Sequence, residues 1–178
     1  MEVYLVRHTE TVCEKGICYG QADVALLEPY EQQFEAIKAQ IPAESIVYSS
    51  PLNRCVELAN FLSSTKIQMD SRLMEMNFGD WELKNWDSIP VIDLTPWMND
   101  FVHVRVPNGE SFADLHDRVS DFLDHELPKK TIKPIVIVTH AGVIRSILCK
   151  ITKLPLRDAF QNKVNFGAVI KIEIIIRE

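Results

Sequence analysis

The chain reads as an α/β protein, a three-layer α/β/α sandwich on a mostly parallel central sheet. Short apolar runs alternate along it with segments of helical apolar spacing. Two of the runs end at a histidine: Val3-Tyr4-Leu5-Val6 leads into Arg7-His8, and Ile135-Val136-Ile137-Val138 leads into Thr139-His140. A strand buried on both faces is a near-continuous apolar run, and open α/β sheets place their chemistry just beyond the carboxyl ends of such strands. Two strands therefore deliver histidines to one edge of the sheet.

In chain order, residues 2–6 form the first strand. A helix is expected over 29–40, a second strand over 45–49 and a second helix over 51–63, with Pro51 in its first turn and Arg54 about one turn in. A short strand follows at 67–69. Residues 74–108 break the alternation with Trp81, Trp86, Pro90, Pro96, Trp97 and Pro107. An irregular connection of this length inside a compact domain is more often functional than linker-like, and it reads as a lid-like insertion over the carboxyl edge. A helix over 111–127 carries Phe112, Leu115, Val119, Phe122 and Leu123 as one apolar stripe. The strand 134–139, a helix over 141–152 and a last strand over 167–176 complete one domain spanning residues 1–178.

The chain has 178 residues, 47% of them hydrophobic, enough for a sizeable core, and a formal charge of −6. That balance argues against a broad nucleic-acid surface but allows an anionic small molecule held by a few focused cations. No secretory leader is expected, and no apolar run comes near the roughly 18 residues of a membrane span. Its four cysteines form no C-x-x-C pair. A cytoplasmic location with reduced thiols is expected. The composition sets no oligomeric state.

Two further blocks join the histidines. Ser49-Ser50-Pro51-Leu52-Asn53-Arg54 supplies a second arginine beside Arg7, and Glu75, before Phe78-Gly79-Asp80-Trp81-Glu82, supplies a carboxyl group. Asp80 and Glu82 compete for that role, and Glu75 is preferred. Taken singly, His8 could be structural and the arginines could pair with surplus acids. Together the set suits phosphoryl transfer: guanidinium groups contact the distributed charge of the transition state, His8 is the better nucleophile candidate, and Glu75 is the first candidate to pass a proton. His140 would give a hydrogen bond or positive charge, and Ala141-Gly142 would open a helix whose N–H groups favour an anion. No cofactor is expected, and no Asp, Cys or His cluster suggests a metal.

Arg7-His8-Thr9-Glu10-Thr11, the block ending at Arg54, Glu75 with its following segment, and Thr139-His140-Ala141-Gly142 resemble the histidine phosphatase superfamily, also called phosphoglycerate mutase-like. The likeness runs from Met1 to about Lys150. It implies that fold, a phosphorylated His8, phosphoryl binding by Arg7, Arg54 and His140, and proton transfer by Glu75. Within the superfamily, residues 16–23 and Pro107-Asn108-Gly109-Glu110-Ser111 are most similar to α-ribazole phosphatases. Those enzymes remove the 5′-phosphate of α-ribazole phosphate in cobalamin nucleotide-loop assembly. The substrate implied is thus a small phosphomonoester, with sugar phosphates or other small esters as the alternative, and a non-catalytic module binding a phosphorylated ligand as the rival of another class. Thr11, Tyr19, Gly20 and Gln21 are candidates for the leaving-group contact, and one of the tryptophans could stack on an aromatic base. Two departures fall on that side: Leu83 stands where a glycine is expected, and Leu27-Glu28-Pro29 lacks the usual Thr and Gly.

Overall fold

The computed structural model describes residues 1–128 and 131–174. Five strands, β1 (Glu2–Arg7), β2 (Ile46–Ser49), β3 (Gln68–Met69), β4 (Ile135–Thr139) and β5 (Val169–Glu173), form one sheet in the order β3-β2-β4-β1-β5. All neighbours run parallel except β5, which lies antiparallel along β1. The last strand is shorter than expected, and the predicted positions 175–176 lie outside the described residues.

Alternation along the strands builds the three layers. Val3, Leu5, Ile135 and Ile137 face a core shared with α4 (Phe112–His125) and α5 (Ala141–Thr152). Tyr4, Val6, Val136 and Val138 face the other way, onto α1 (Glu31–Lys38) and α2 (Asn53–Leu62). Every residue of β4 is buried, which is why its sequence is an unbroken apolar run.

Helix α4 begins where a cap is written: Ser111 accepts the Asp114 N–H and Asp114 accepts the Ser111 N–H. Helix α2 starts later than expected. Pro51 lies outside it, Leu52 is the N-cap, and Arg54 is the second helical residue rather than one turn in.

The insertion contains a helix that prolines conceal. Residues Val91–Asn99 form α3 with Pro96 inside it. Pro90 caps it, its carbonyl accepting the Asp93 and Leu94 N–H groups, while Trp97 anchors it in the aromatic cluster with Trp81 and Trp86. Among the described residues no helix is long and apolar enough to cross a membrane.

Candidate active site

The parallel register places the two histidines. Arg7 pairs with Thr139 across β1 and β4, so the next residue on each strand, His8 and His140, emerges side by side with ring centroids 5.1 Å apart. Both are buried, at 2% and 0% exposure. They floor a cleft of about 410 Å³ whose walls include Arg7, Tyr19, Arg54, Glu75, Ala141 and Arg145.

His8 lies with Nδ1 2.8 Å from the Thr9 carbonyl oxygen, a distance at which Nδ1–H donates and the lone pair is left on Nε2. Burial, then the charge of Arg54 and Arg7, lowers its pKa from 6.5 to about 3, against the opposing pull of the Thr9 carbonyl. The ring is therefore neutral at physiological pH. His140 is held well below its ordinary pKa by complete burial first, then by His8, Arg54 and Arg7. Ser50 Oγ accepts the Leu52 N–H at 3.3 Å and lies 2.9 Å from His140 Nε2. With the Ser50 hydroxyl donating there, His140 carries its proton on Nδ1. Of hydrogen bond and positive charge, a neutral ring supplies the first.

Arg54 is 1% exposed and spans to the loop after β1, donating through Nη1 to the Ala22 carbonyl at 2.8 Å and through Nη2 to the Gly20 carbonyl. Arg7 donates through Nη1 to the Val164 carbonyl at 2.7 Å and stacks on Phe166, 3.7 Å from the ring centroid. Burial lowers the pKa of Arg7, the charge of Glu75 opposing it. The Nε–H groups of both arginines are buried with no partner among the described residues. A buried donor left so costs on the order of 1–3 kcal/mol, which an anion in the cleft would offset.

Glu75 is fixed from two sides. Its Oε1 accepts the Met76 N–H at 2.9 Å and its Oε2 accepts the Gly142 N–H at 3.0 Å. The N–H of Gly142, expected to meet an exogenous anion, is thus taken by the protein's own carboxylate, and Ala141 is the helix-start residue that lines the cleft. A Cβ at 142 would sit 2.2 Å from Glu75 Oε1, so a side chain there would push the carboxylate out of this position. The backbone carrying Glu75 is gripped by Arg118, which donates to the carbonyls of Arg72, Met74 and Glu75 while pairing with Glu110.

The other two acids are elsewhere. Glu82 accepts the backbone N–H groups of Gly20, Gln21, Ala22 and Phe78 at 2.9–3.2 Å, and Asp80 meets Asn108 at the surface. Arg54 and Glu82 therefore clamp residues 20–22 from opposite sides. Of the residues expected at the leaving group, Tyr19 lines the cleft. Thr11, Gly20 and Gln21 do not: Thr11 donates to the Tyr19 hydroxyl, Gly20 and Gln21 are held by Glu82, and the Gln21 amide donates to the Glu75 carbonyl.

Of the three tryptophans, Trp86 lines the cleft, and the structure adds Arg145, Phe78 and Phe166 to the walls. Arg145 sits four residues after Ala141 on α5, so helical spacing alone would have put it on the same face. Phe166 precedes the antiparallel strand and has no local signal. Arg7, Arg54 and Arg145 make no ion pair with an acid among the described residues, whereas Arg72, Arg105 and Arg118 do. No group of three or more His, Cys, Asp or Glu among the described residues is placed to hold a metal.

A parallel α/β sandwich with paired histidines and unpaired arginines at its strand ends defines a site for anionic esters. The chain belongs to the histidine phosphatase superfamily (branch 1), matched over residues 3–176. It is 27% identical to the adenosylcobalamin/alpha-ribazole phosphatase of Escherichia coli, over 98% of this chain and 90% of that one. The alpha-ribazole phosphatase of Shigella flexneri superposes with a TM-score of 0.89 at 26% identity, covering 98% of this chain and 91% of that chain. A phosphoglycerate mutase from Thermus thermophilus superposes at 0.75 and 27%, covering 97% and 93%.

Proposed function

We propose that the protein is a metal-independent phosphomonoesterase working through a phosphohistidine, with α-ribazole 5′-phosphate as its preferred substrate. The observation that carries the mechanism is the pinned tautomer of His8: Nδ1 is committed to the Thr9 carbonyl, so a neutral, uncompeted Nε2 lone pair is available at the cleft floor. That nitrogen attacks phosphorus and the ester P–O bond breaks. Glu75 enters the cycle as the carboxylic acid, and the leaving alkoxide takes that proton, leaving the carboxylate. In the second step Glu75 accepts a proton from water, the oxygen attacks the phosphohistidine, and the N–P bond breaks to release phosphate and neutral His8. Arg7, Arg54 and the His140 N–H meet the equatorial oxygens, where charge spreads in the transition state.

The substrate reading is supported by two relatives named as alpha-ribazole phosphatases, those of Escherichia coli and Shigella flexneri, each alike over 98% of this chain. A broad-specificity phosphatase of sugar phosphates or other small esters is the second reading, favoured by Leu83, whose side chain is 59% exposed beside the cleft loop where the α-ribazole phosphatase pattern has glycine. Both place the protein with small phosphomonoesters as partners, and the expected cytoplasmic location suits either.

The test is kcat/KM against α-ribazole 5′-phosphate, 3-phosphoglycerate, sugar phosphates and mononucleotides, with EDTA present and His8→Ala as control. His8-dependent turnover with a strong α-ribazole phosphate preference is expected. Activity persisting in His8→Ala would end the phosphohistidine mechanism, and a flat, His8-dependent profile would move the substrate to the broad class.

A further inference from the structure

Beyond one 3₁₀ turn at Ser71–Leu73, the chain that carries Glu75 to the cleft has no helix or strand of its own until Gly79. Four consecutive carbonyls there, 72–75, each take a donor from a side chain. Thr139 Oγ, at the end of β4, donates to the Leu73 carbonyl at 2.7 Å. Arg118 takes the other three, with Nη1 2.7 Å from the Arg72 and Met74 carbonyls and Nη2 2.9 Å from that of Glu75. Its Nε and Nη2 also donate to the two oxygens of Glu110, at 2.8 and 2.9 Å. These five bonds engage every N–H that a guanidinium group has.

Glu110 extends the hold past Glu75. Its Oε2 accepts the Asn77 N–H at 2.8 Å, and its own N–H donates to the Asn77 carbonyl at 2.9 Å. It stands directly before Ser111, the N-cap of α4, and Arg118 lies about two turns into that helix. Neither side chain lines the cleft, and the two are 19% and 20% exposed.

We propose that Glu110 and Arg118 act as one positioning unit for proton transfer, fixing where the Glu75 carboxyl group stands in the cleft without touching substrate. The proposal rests on the reading above in which Glu75 moves the proton. Glu75 Oε1 accepts the N–H of the very next residue, so this oxygen follows the backbone that Arg118 holds, while Oε2 is tied to Gly142 at the start of α5. The carboxyl group is thus set between two helices packed in one core. Release of the Arg118 anchor leaves it hanging on Gly142 alone. The segment 107–111, singled out in the sequence beside the catalytic blocks, gains a role in this way: it delivers Glu110 to the far side of the proton donor.

Phenyl and p-nitrophenyl phosphate present the same phosphoryl group, and the more basic phenoxide has the greater need of a proton. Arg118→Lys keeps the charge but offers three donors in place of five. Its kcat/KM for phenyl phosphate is expected to fall about 10²-fold, the scale of a displacement of about 1 Å at a reacting group, with p-nitrophenyl phosphate falling only about threefold. Added to Glu75→Gln, the same change should lower phenyl phosphate turnover by less than about twofold more, because a residue acting through Glu75 then has nothing left to position. Glu110→Gln should repeat both patterns at smaller size, and it decides the matter if circular dichroism shows Arg118→Lys to be unfolded. Equal losses on the two esters, or a loss that multiplies in the Glu75→Gln background, would overturn the positioning role while a selective effect of Glu75→Gln alone left the proton role standing. Equal effects of Glu75→Gln itself on both esters would remove the proton role and this proposal with it.

Discussion

The phosphate end and the leaving-group end of the cleft are built by different means. At the first, Arg7, His8 and His140 stand at the ends of paired strands and Arg54 in the opening turn of α2, so a ladder of backbone hydrogen bonds sets their spacing. At the second, Glu75, Phe78 and Trp86 come from a segment without strands, held by two charged side chains: Glu82 on four backbone N–H groups and Arg118 on three carbonyls. A sheet edge survives the loss of one side chain. A loop that hangs on two charged side chains should not.

The largest effect on chemistry should fall at the phosphate end. Arg54→Ala is expected to lose about 2.7–4 kcal/mol of transition-state stabilisation, by analogy with one preorganised donor. Arg54→Lys should restore little, because a single ammonium cannot span the Gly20 and Ala22 carbonyls and still meet the phosphoryl group. An unchanged kcat/KM in steady-state assays would place Arg54 outside the cradle.

At the other end the order should reverse, with stability lost first. Glu82→Ala strips the acceptor from four N–H groups and should cost about 3 kcal/mol in urea unfolding, hydrogen bonds to a charged group being the strong ones. Unfolding midpoints matching the wild type would show that the loop holds itself and would erase the contrast between the two ends.

Gly142→Ala couples the ends. Its Cβ would displace Glu75 Oε1 from 2.2 Å away, so turnover of alkyl esters should fall about 10²-fold, within the range that one proton-transfer group contributes. p-Nitrophenyl phosphate, whose leaving group needs less protonation, should be affected less, and Glu75→Gln should give the same pattern. Equal losses on both substrates would move the proton donor elsewhere.

Acid sharpens the account of His8. Its pKa is about 3 in the folded protein against 6.5 as the ordinary value, so the unfolded chain binds more protons between those limits. Stability from the neutral ring is complete above pH 6.5 and is lost as pH falls toward 3. His8→Asn should therefore lose less stability than the wild type between pH 7.5 and about 4.5, by urea unfolding at each pH. A parallel loss in the two proteins would mean that His8 titrates normally.

The smallest effect is at Leu83, which adopts φ 61°. A left-handed backbone costs a leucine about 1–2 kcal/mol, partly offset by the extra unfolded-state freedom of glycine. Leu83→Gly should raise stability by up to about 1 kcal/mol with kcat/KM for a small ester unchanged, and a drop in thermal midpoint would show that the leucine makes a contact worth more than its strain.

How much can be read from the sequence follows the same division. Strand β4 and helix α5 are legible almost to the residue, because five buried positions demand an apolar run and a helix start follows it. The departure at Leu83 is legible as an anomaly, and its positive φ is the physical reason a glycine is expected there. Helix α3 is hidden because its prolines read as breakers, although one caps it. Gly20 and Gln21 read as leaving-group residues because they follow β1. Their N–H groups are instead taken by Glu82, some 60 residues away in sequence, and no local pattern announces so distant a partner. Arg145 escapes a reading by motif, although a four-residue step from Ala141 points to it.

The bond from the Gly142 N–H to Glu75 has a consequence for how such a protein can diversify. The carboxyl group is registered to α5, the helix that His140 caps, so proton donor and phosphate cradle share one rigid reference. The stretch between Leu83 and Val106 can then change its length and its aromatic lining from one descendant to the next without detuning the reacting atoms. Inheritance of the chemistry and turnover of the recognised alcohol become separable traits within a single chain.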